Sequence, residues 1–447
     1  MKKQQTYGLF TMIMLMVGIV IGSGIYFKAD DIFRYTDGNI LVGLFVLALG
    51  AVCIIFGSLT LTTISKQTKA SGGLMAYFDA FVSTEMAAGF GWFQCFVYTP
   101  SVAVVVSWAG SIYTWILLGV EATLLQQIAL GMGYFVIFFV INLLSRSWGG
   151  YLQNISTVIK MIPLIVIAFY GIFLAPPMSW HAVGGSTFVR EIGKWSWLSA
   201  LVPLTFAYDG WTVVLHAAPE VRNSEKNVTR ALALSPIVIM LSYVLYVFGI
   251  SKILGSEAII KLGDSAINAA VAKAFGTRAA NLVMVIVVIS VLGVLNALTL
   301  SGIRMPQALA EKGMIPDHGI SHKSEKTQLS VKSGMIFLGC VFAWAILHYF
   351  VMRFNILNGR DISEISIVFN FLIYILLYKA VFQYRKKNQS GGLWIPIMAI
   401  LGSIAILIGS ILASPVYVVV FLCFCTLIVM LGHQYMKRKT ETSTYEL

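Results

Sequence analysis

The chain has 447 residues, 58% of them hydrophobic and 11% charged, with a formal net charge of +12 and a mean hydropathy of +0.84. Soluble domains carry about 25% charged residues, so the composition excludes a soluble fold and predicts an all-α polytopic membrane protein. The basic residues fall in short clusters between apolar runs, which excludes a nucleic-acid face and fits positively charged cytoplasmic loops beside a bilayer.

Lys2 and Lys3 precede an apolar run, as in a signal peptide. No A-x-A cleavage site follows and further apolar runs do, so a retained first span is expected. Counting runs of about 18–25 residues gives twelve spans. Their boundaries are 8–35, 40–64, 85–112, 124–144, 151–174, 198–220, 228–252, 281–308, 331–350, 364–384, 394–413 and 414–435. Only Ala413-Ser414-Pro415 separates the last two.

Span one is interrupted at Val17-Gly18-Ile19-Val20-Ile21-Gly22-Ser23-Gly24-Ile25-Tyr26. Glycine is entropically poor in a helix, and serine competes for nearby backbone groups. A backbone group freed in hydrocarbon costs several kcal/mol unless protein or a cavity satisfies it. A break at this depth is therefore expected to line something polar. The alternative is a small-residue packing face, because Gly18 and Gly22 have GxxxG spacing.

Span five carries Lys160 about ten residues in, where a lysine costs about 2.5–3.5 kcal/mol on insertion scales; snorkelling to the inner interface is the competing account. Span six holds a second interruption, Phe206-Ala207-Tyr208-Asp209-Gly210-Trp211. An acid beside a glycine in mid-span is expensive unless solvated or paired. Breaks in spans one and six predict a 5+5 inverted repeat with broken helices 1 and 6. The expected organisation is a first repeat at 1–174, a second at 198–384, spans eleven and twelve at 394–435, and a cytoplasmic tail at 436–447.

The longest outer connection, 251–280, contains a helix-compatible stretch at 265–275, and the longest inner one, 311–330, is polar. With the N-terminus inside, 20 of the 31 lysines and arginines lie on the cytoplasmic side and 10 outside, Lys28 and Arg360 among the latter, with Lys160 in the membrane. Both termini are then cytoplasmic, in a multi-pass protein of the cell membrane. The five cysteines all lie in apolar spans without metal-ligand spacing or a disulfide framework. None of the six histidines pairs at metal spacing either, so no metal or cofactor is expected. Gln94 and Tyr98 either border a pocket or pack helices, packing being the default, and Glu220 is expected to cap or pair at the inner end of span six.

The two breaks, with Gly72-Gly73 after span two and Pro219-Glu220-Val221-Arg222-Asn223-Ser224-Glu225-Lys226 after span six, resemble the amino acid–polyamine–organocation superfamily. Within it the chain is most similar to the L-type amino acid transporters, including bacterial serine/threonine exchangers. The likeness runs through spans one to ten, and its motifs specify family rather than substrate. Two positions depart from the pattern. Ser224 stands where proline is usual, which softens the expected turn into span seven, and Met75 stands where an aromatic often follows the double glycine.

An amino acid is a zwitterion, so its site needs donors for a carboxylate and acceptors for an ammonium. The N–H groups of Ser23, Gly24 and Ile25, at a half-helix N-terminus, favour the carboxylate. The carbonyls of Val20, Phe206 and Asp209 are candidate acceptors for the ammonium. The resemblance implies the same assignments and adds Phe206 as a gate closing over the substrate, where an ordinary core phenylalanine is the alternative. It also implies that Lys160 replaces a sodium ion, tethering span one to span eight, with Asn296 as its candidate polar neighbour. A buried lysine can titrate near neutrality, which keeps proton coupling open.

The expected function is a sodium-independent exchanger of small neutral L-amino acids by alternating access. The alternative is a proton-coupled amino acid or polyamine symporter. An enzyme would need clustered catalytic groups, a scaffold would gain nothing from paired breaks, and no nucleotide-binding loop is present for a primary pump. In eukaryotic relatives a cysteine after span three bonds a heavy subunit; the segment 113–123 has none, so no disulfide-linked partner is expected.

Overall fold

Without water to receive them, backbone polar groups in an apolar run are satisfied only within helices or closed barrels. The computed structural model takes the helical solution throughout. It describes residues 7–22, 24–67, 73–144, 159–179, 181–212, 215, 221–325, 327–357 and 359–445. Among them every regular element is helical, and an isolated parallel bridge joins Tyr7 to Val221.

In chain order the helices are α1 (Leu9–Val20), α2 (Gly24–Phe27), α3 (Ala29–Tyr35), α4 (Ile40–Gln67), α5 (Gly73–Phe81), α6 (Thr84–Phe93), α7 (Thr99–Leu118) and α8 (Leu124–Leu144). They continue as α9 (Met161–Phe169), α10 (Phe188–Gly193), α11 (Leu201–Ala207), α12 (Ser224–Leu254), α13 (Ser256–Leu262), α14 (Ala266–Phe275) and α15 (Thr277–Glu311). The last four are α16 (Val331–Arg353), α17 (Ile362–Lys387), α18 (Trp394–Ala413) and α19 (Pro415–Tyr445). A π-helical turn, Gln94–Tyr98, joins α6 to α7.

Ten of these stretches are long and apolar enough to cross a membrane, and two shorter apolar ones, Met161–Leu174 and Ser196–Ala207, fall where spans five and six are expected. Large apolar side chains such as Leu125, Ile137 and Leu144 on α8 and Val420 and Leu427 on α19 point outward, as befits a lipid-facing surface. The helix expected at 265–275 is present as α14.

Several boundaries shift. Span one is cut twice, at 21–22 and again at Lys28, whose backbone (φ −120°, ψ 5°) leaves the helix between α2 and α3. Span six ends as a helix at Ala207, and 208–212 is a turn. The tail expected from 436 continues α19 to Tyr445. Gly72, Glu220 and the beginning of span five, 151–158, lie outside the described residues. At the start of span seven Asn223 adopts a left-handed conformation (φ 48°) just before Ser224.

Side-chain acceptors cap the starts of α6, α16 and α17. Ser83 accepts from the Met86 N–H, Ser330 from Ser333 and Asp361 from Ser363. Pro306 interrupts α15, and the Ser333 hydroxyl inserts there, accepting from the Gln307 N–H at 2.9 Å and donating to the Ile303 carbonyl at 2.5 Å. Around the centre, α1 and α9 pack on α12, and α2 packs on α11. This packing brings the two interruptions together.

Candidate substrate site between two broken helices

At the first break α1 closes with the Ile21 N–H on the Val17 carbonyl (2.8 Å) and the Gly22 N–H on Val20 (2.9 Å). Gly22 and Gly24 are small for steric reasons. A Cβ at Gly22 would lie 2.7 Å from Val294 Cγ2, and one at Gly24 would lie 2.5 Å from Ala207 Cα. At the second break the Asp209 N–H returns to the Phe206 carbonyl at 3.2 Å. Gly210 then takes φ +93°, a region that excludes most side chains, and a Cβ there would meet Ile19 Cγ2 at 2.7 Å. The first break thus lies against the second, backbone to backbone.

One side chain joins them. Tyr243 on α12 is fully buried, and its hydroxyl lies 3.0 Å from the Val20 carbonyl and 2.8 Å from the Ala207 carbonyl. A phenol has one proton, so it donates to one carbonyl at a time. Tyr208 stacks near it, with ring centroids 5.1 Å apart, and donates to the Leu47 carbonyl at 3.0 Å. The Tyr98 hydroxyl donates to Asp209 Oδ2. Tyr98 ends the π-helical turn, whose extra residue rotates the following face. Gln94, at the start of that turn, donates to Asn370 Oδ1 at 2.8 Å.

Among the residues picked out from sequence, Val20, Gly24, Ile25, Phe206 and Asp209 converge on this junction, and Ser23 lies outside the described residues. Phe206 is buried with its ring 6.1 Å from that of Phe27, and the Lys28 ammonium lies 5.6 Å from the Phe206 centroid. Lys160 is buried, and its carbonyl accepts from the Tyr26 hydroxyl at 3.1 Å, linking span five to α2. Its ammonium has no hydrogen-bond partner among the described residues, so the expected bond to Asn296 is not made. Asn296 is buried too, and its Oδ1 accepts from Asn142 at 2.9 Å.

Three features escaped the sequence. Tyr98 meets Asp209 where packing was the default, and Tyr243 was one tyrosine among many in apolar spans. Lys28 and Arg360, counted as outer-loop charges, are buried; Lys28 has acids of α17 for company. The signal for that pairing was Asp361 and Glu364, three apart at the start of span ten, facing a lysine four residues past a break. Among the described residues no group of His, Cys, Asp and Glu is arranged to hold a metal.

Comparison with known proteins gives a family model, described as amino acid permease, that matches residues 7–439. The serine/threonine exchanger SteT of Bacillus subtilis (strain 168) is 28% identical over 409 residues, covering 90% of each chain. The b(0,+)-type amino acid transporter 1 of Rattus norvegicus is 23% identical over 446 residues, 96% of this chain and 86% of the relative. The cystine/glutamate transporter of Homo sapiens is 24% identical over 242 residues, 52% of this chain and 46% of the relative.

Proposed function

The chain belongs to the amino acid permease family, and from that premise we propose a sodium-independent secondary transporter that exchanges small neutral L-amino acids by alternating access. The observation that carries this is the junction of the two breaks, where Gly24 meets Ala207 and Tyr243 reaches carbonyls from both segments. Such a junction offers main-chain donors and acceptors at mid-span without a formal charge. In our reading the N–H groups of Ser23, Gly24 and Ile25 take the substrate carboxylate, and the carbonyls of Val20, Phe206 and Asp209 take the ammonium. The name of the Bacillus relative, a serine/threonine exchanger, supports small neutral side chains.

We further infer twelve crossings, counting the two shorter apolar helices as spans five and six, with 1–174 and 198–384 as inverted repeats and both termini cytoplasmic. The chain is expected to work without a disulfide-linked partner, since 113–123 lacks cysteine. Uptake of labelled serine and threonine into proteoliposomes, with and without internal amino acid, tests the exchange. Varying sodium and pH tests the coupling. Uptake that ignores internal amino acid but follows a proton gradient would replace the exchanger by the proton-coupled symporter, a reading that the buried Lys160 ammonium, without a partner among the described residues, favours.

Tyr243 now reaches the Val20 carbonyl, one of the acceptors that we assign to the substrate ammonium. Tyr243→Phe removes this competitor and the single proton that the Val20 and Ala207 carbonyls share, a cost of about 1–3 kcal/mol. The expected result is a lower melting temperature without substrate, tighter binding of serine and slower exchange. Binding and melting unchanged in a folded variant would return Tyr243 to ordinary packing.

Phe206 is expected to act as a lid. Phe206→Leu conserves most of the volume, and such swaps usually cost under about 1.5 kcal/mol of stability. Exchange should therefore fall much more than thermal stability does, and Phe206→Ala should lower it further. Equal proportional losses in rate and stability would make Phe206 a core residue.

A further inference from the structure

The Lys28 ammonium is buried, 3% exposed, beside two carboxylates exposed by 1% and 0%, Asp361 and Glu364. It donates to Asp361 Oδ2 at 2.8 Å and to Glu364 Oε1 at 2.5 Å, with Asp31 Oδ2 at 3.6 Å. Asp361 is also the cap of α17, its Oδ1 accepting from the Ser363 N–H and hydroxyl. The second oxygen of Glu364 has no partner among the described residues, so Lys28 supplies the hydrogen bond that holds this carboxylate. The same ammonium lies 4.8 Å from the Phe27 ring centroid and 5.6 Å from that of Phe206, within cation–π range. Behind Phe27 stand Trp108, with centroids 5.6 Å apart, and then His348, 4.7 Å from Trp108.

These groups come from segments far apart in the chain, 333 and 336 residues from Lys28. Lys28 occupies the non-helical joint between α2 and α3, just past the first break, and Asp361 and Glu364 begin α17. Replacing a buried ion trio by apolar side chains is often neutral for stability, whereas removing one partner is strongly felt. A lysine placed here is thus poor evidence of stabilisation and better evidence of a two-state contact.

We propose that Lys28 is a positioning residue for the Phe206 lid, and that its ion pairs with Asp361 and Glu364 latch the Lys28 face of the transporter shut. The proposal rests on the transporter function given above. Release of the latch frees α2 from α17, withdraws the ammonium from the Phe206 ring and lets the lid rotate. The test reads closure separately from transport. In a full-length protein whose five native cysteines are replaced, Ser366→Cys serves as the probe. Ser366 is buried two residues past Glu364, with its hydroxyl on Ser101 at 2.9 Å. A membrane-impermeant maleimide is applied to the Lys28 face of vesicles.

Lys28→Met should speed labelling by at least about tenfold, equivalent to about 1.4 kcal/mol, and should slow exchange. Glu364→Gln and Asp361→Asn should shift labelling the same way, and they carry the test if Lys28→Met fails to fold. Combining Lys28→Glu with Glu364→Lys should restore slow labelling in part, because it rebuilds one ion pair. Labelling at the parental rate in these variants, while the parent protein exchanges amino acids, would overturn the latch and spare the transporter. Fast labelling that the charge swap leaves unrescued would also overturn it, reducing Lys28 to packing. Fast labelling in Lys28→Met with rescue by the swap, in a protein that moves no amino acid, would leave the latch standing and overturn the transport function.

Discussion

Gly24→Val is expected to abolish amino acid binding while the helices remain inserted. The geometry at Gly24 leaves no room for compromise. A Cβ would lie 2.5 Å from Ala207 Cα, and the obstacle is backbone, which cannot rotate aside as a side chain would. Valine adds two further carbons beyond that Cβ, and its stiff χ1 offers no orientation that avoids the second break. The two breaks must separate, which pulls the Gly24 and Ile25 N–H groups away from the second-break carbonyls of Phe206 and Asp209. A site reading both ends of a zwitterion cannot tolerate that. Gly24→Ala should show a graded loss, because it carries the Cβ alone. Insertion, helicity and monodispersity should stay close to the parent protein, since the spans insert on their own hydrophobicity. Substrate affinity measured on purified protein decides the matter: near-parental affinity in Gly24→Val would remove the proposed carboxylate site.

Both interruptions were legible in the sequence because each depends on a local rule. Glycine at 22, 24 and 210 marks backbone that either leaves the helix or approaches another segment closely, and those properties belong to the residue itself. Asp209 announced itself by the expense of an acid in mid-span. The partners of these groups were not legible, since they depend on how helices cross. Tyr98, which reaches Asp209, ends the π-helical turn Gln94–Tyr98, and one inserted residue in a helix leaves no mark on composition. Tyr243 reaches Val20 from 223 residues away, and hydropathy treats it as another aromatic in span seven.

Lys28 is the clearest case of a rule applied beyond its range. Counting positive charges by side is sound for loops as a population, and it assigned Lys28 to the outer side. The count has no access to burial, and it placed a lysine now bonded to Glu364, 336 residues away, among solvated charges. The five residues from Gly24 to Lys28 contain both a candidate carboxylate donor and the proposed latch, so in our reading one short segment would join the substrate site to closure.

Lys160 carries the second large expected effect. Its ammonium is buried and has no partner among the described residues, although embedding a lysine in a membrane span costs about 2.5–3.5 kcal/mol on insertion scales. No described residue offsets that cost with a hydrogen bond to the ammonium. Its neighbourhood is nonetheless committed to the first break, because Tyr26 of α2 donates to the Lys160 carbonyl. A charge idle in one state and adjacent to a moving segment is expected to find acceptors in another, among the carbonyls of the first break or groups of α15 such as Asn296. Lys160→Met should therefore keep or raise the melting temperature while slowing exchange by at least about tenfold, because it removes the partner that favours the other state. Substrate contacts survive, so intrinsic affinity should change far less than turnover and sidedness. Transport by the parent protein should not need sodium if the ammonium takes the place of that ion. Strict sodium dependence, or a Lys160→Met protein with parental rates and affinities on both membrane faces, would defeat this account. A parental rate that follows the pH gradient, lost in Lys160→Met, would instead make Lys160 the titrating group of a proton-coupled symporter.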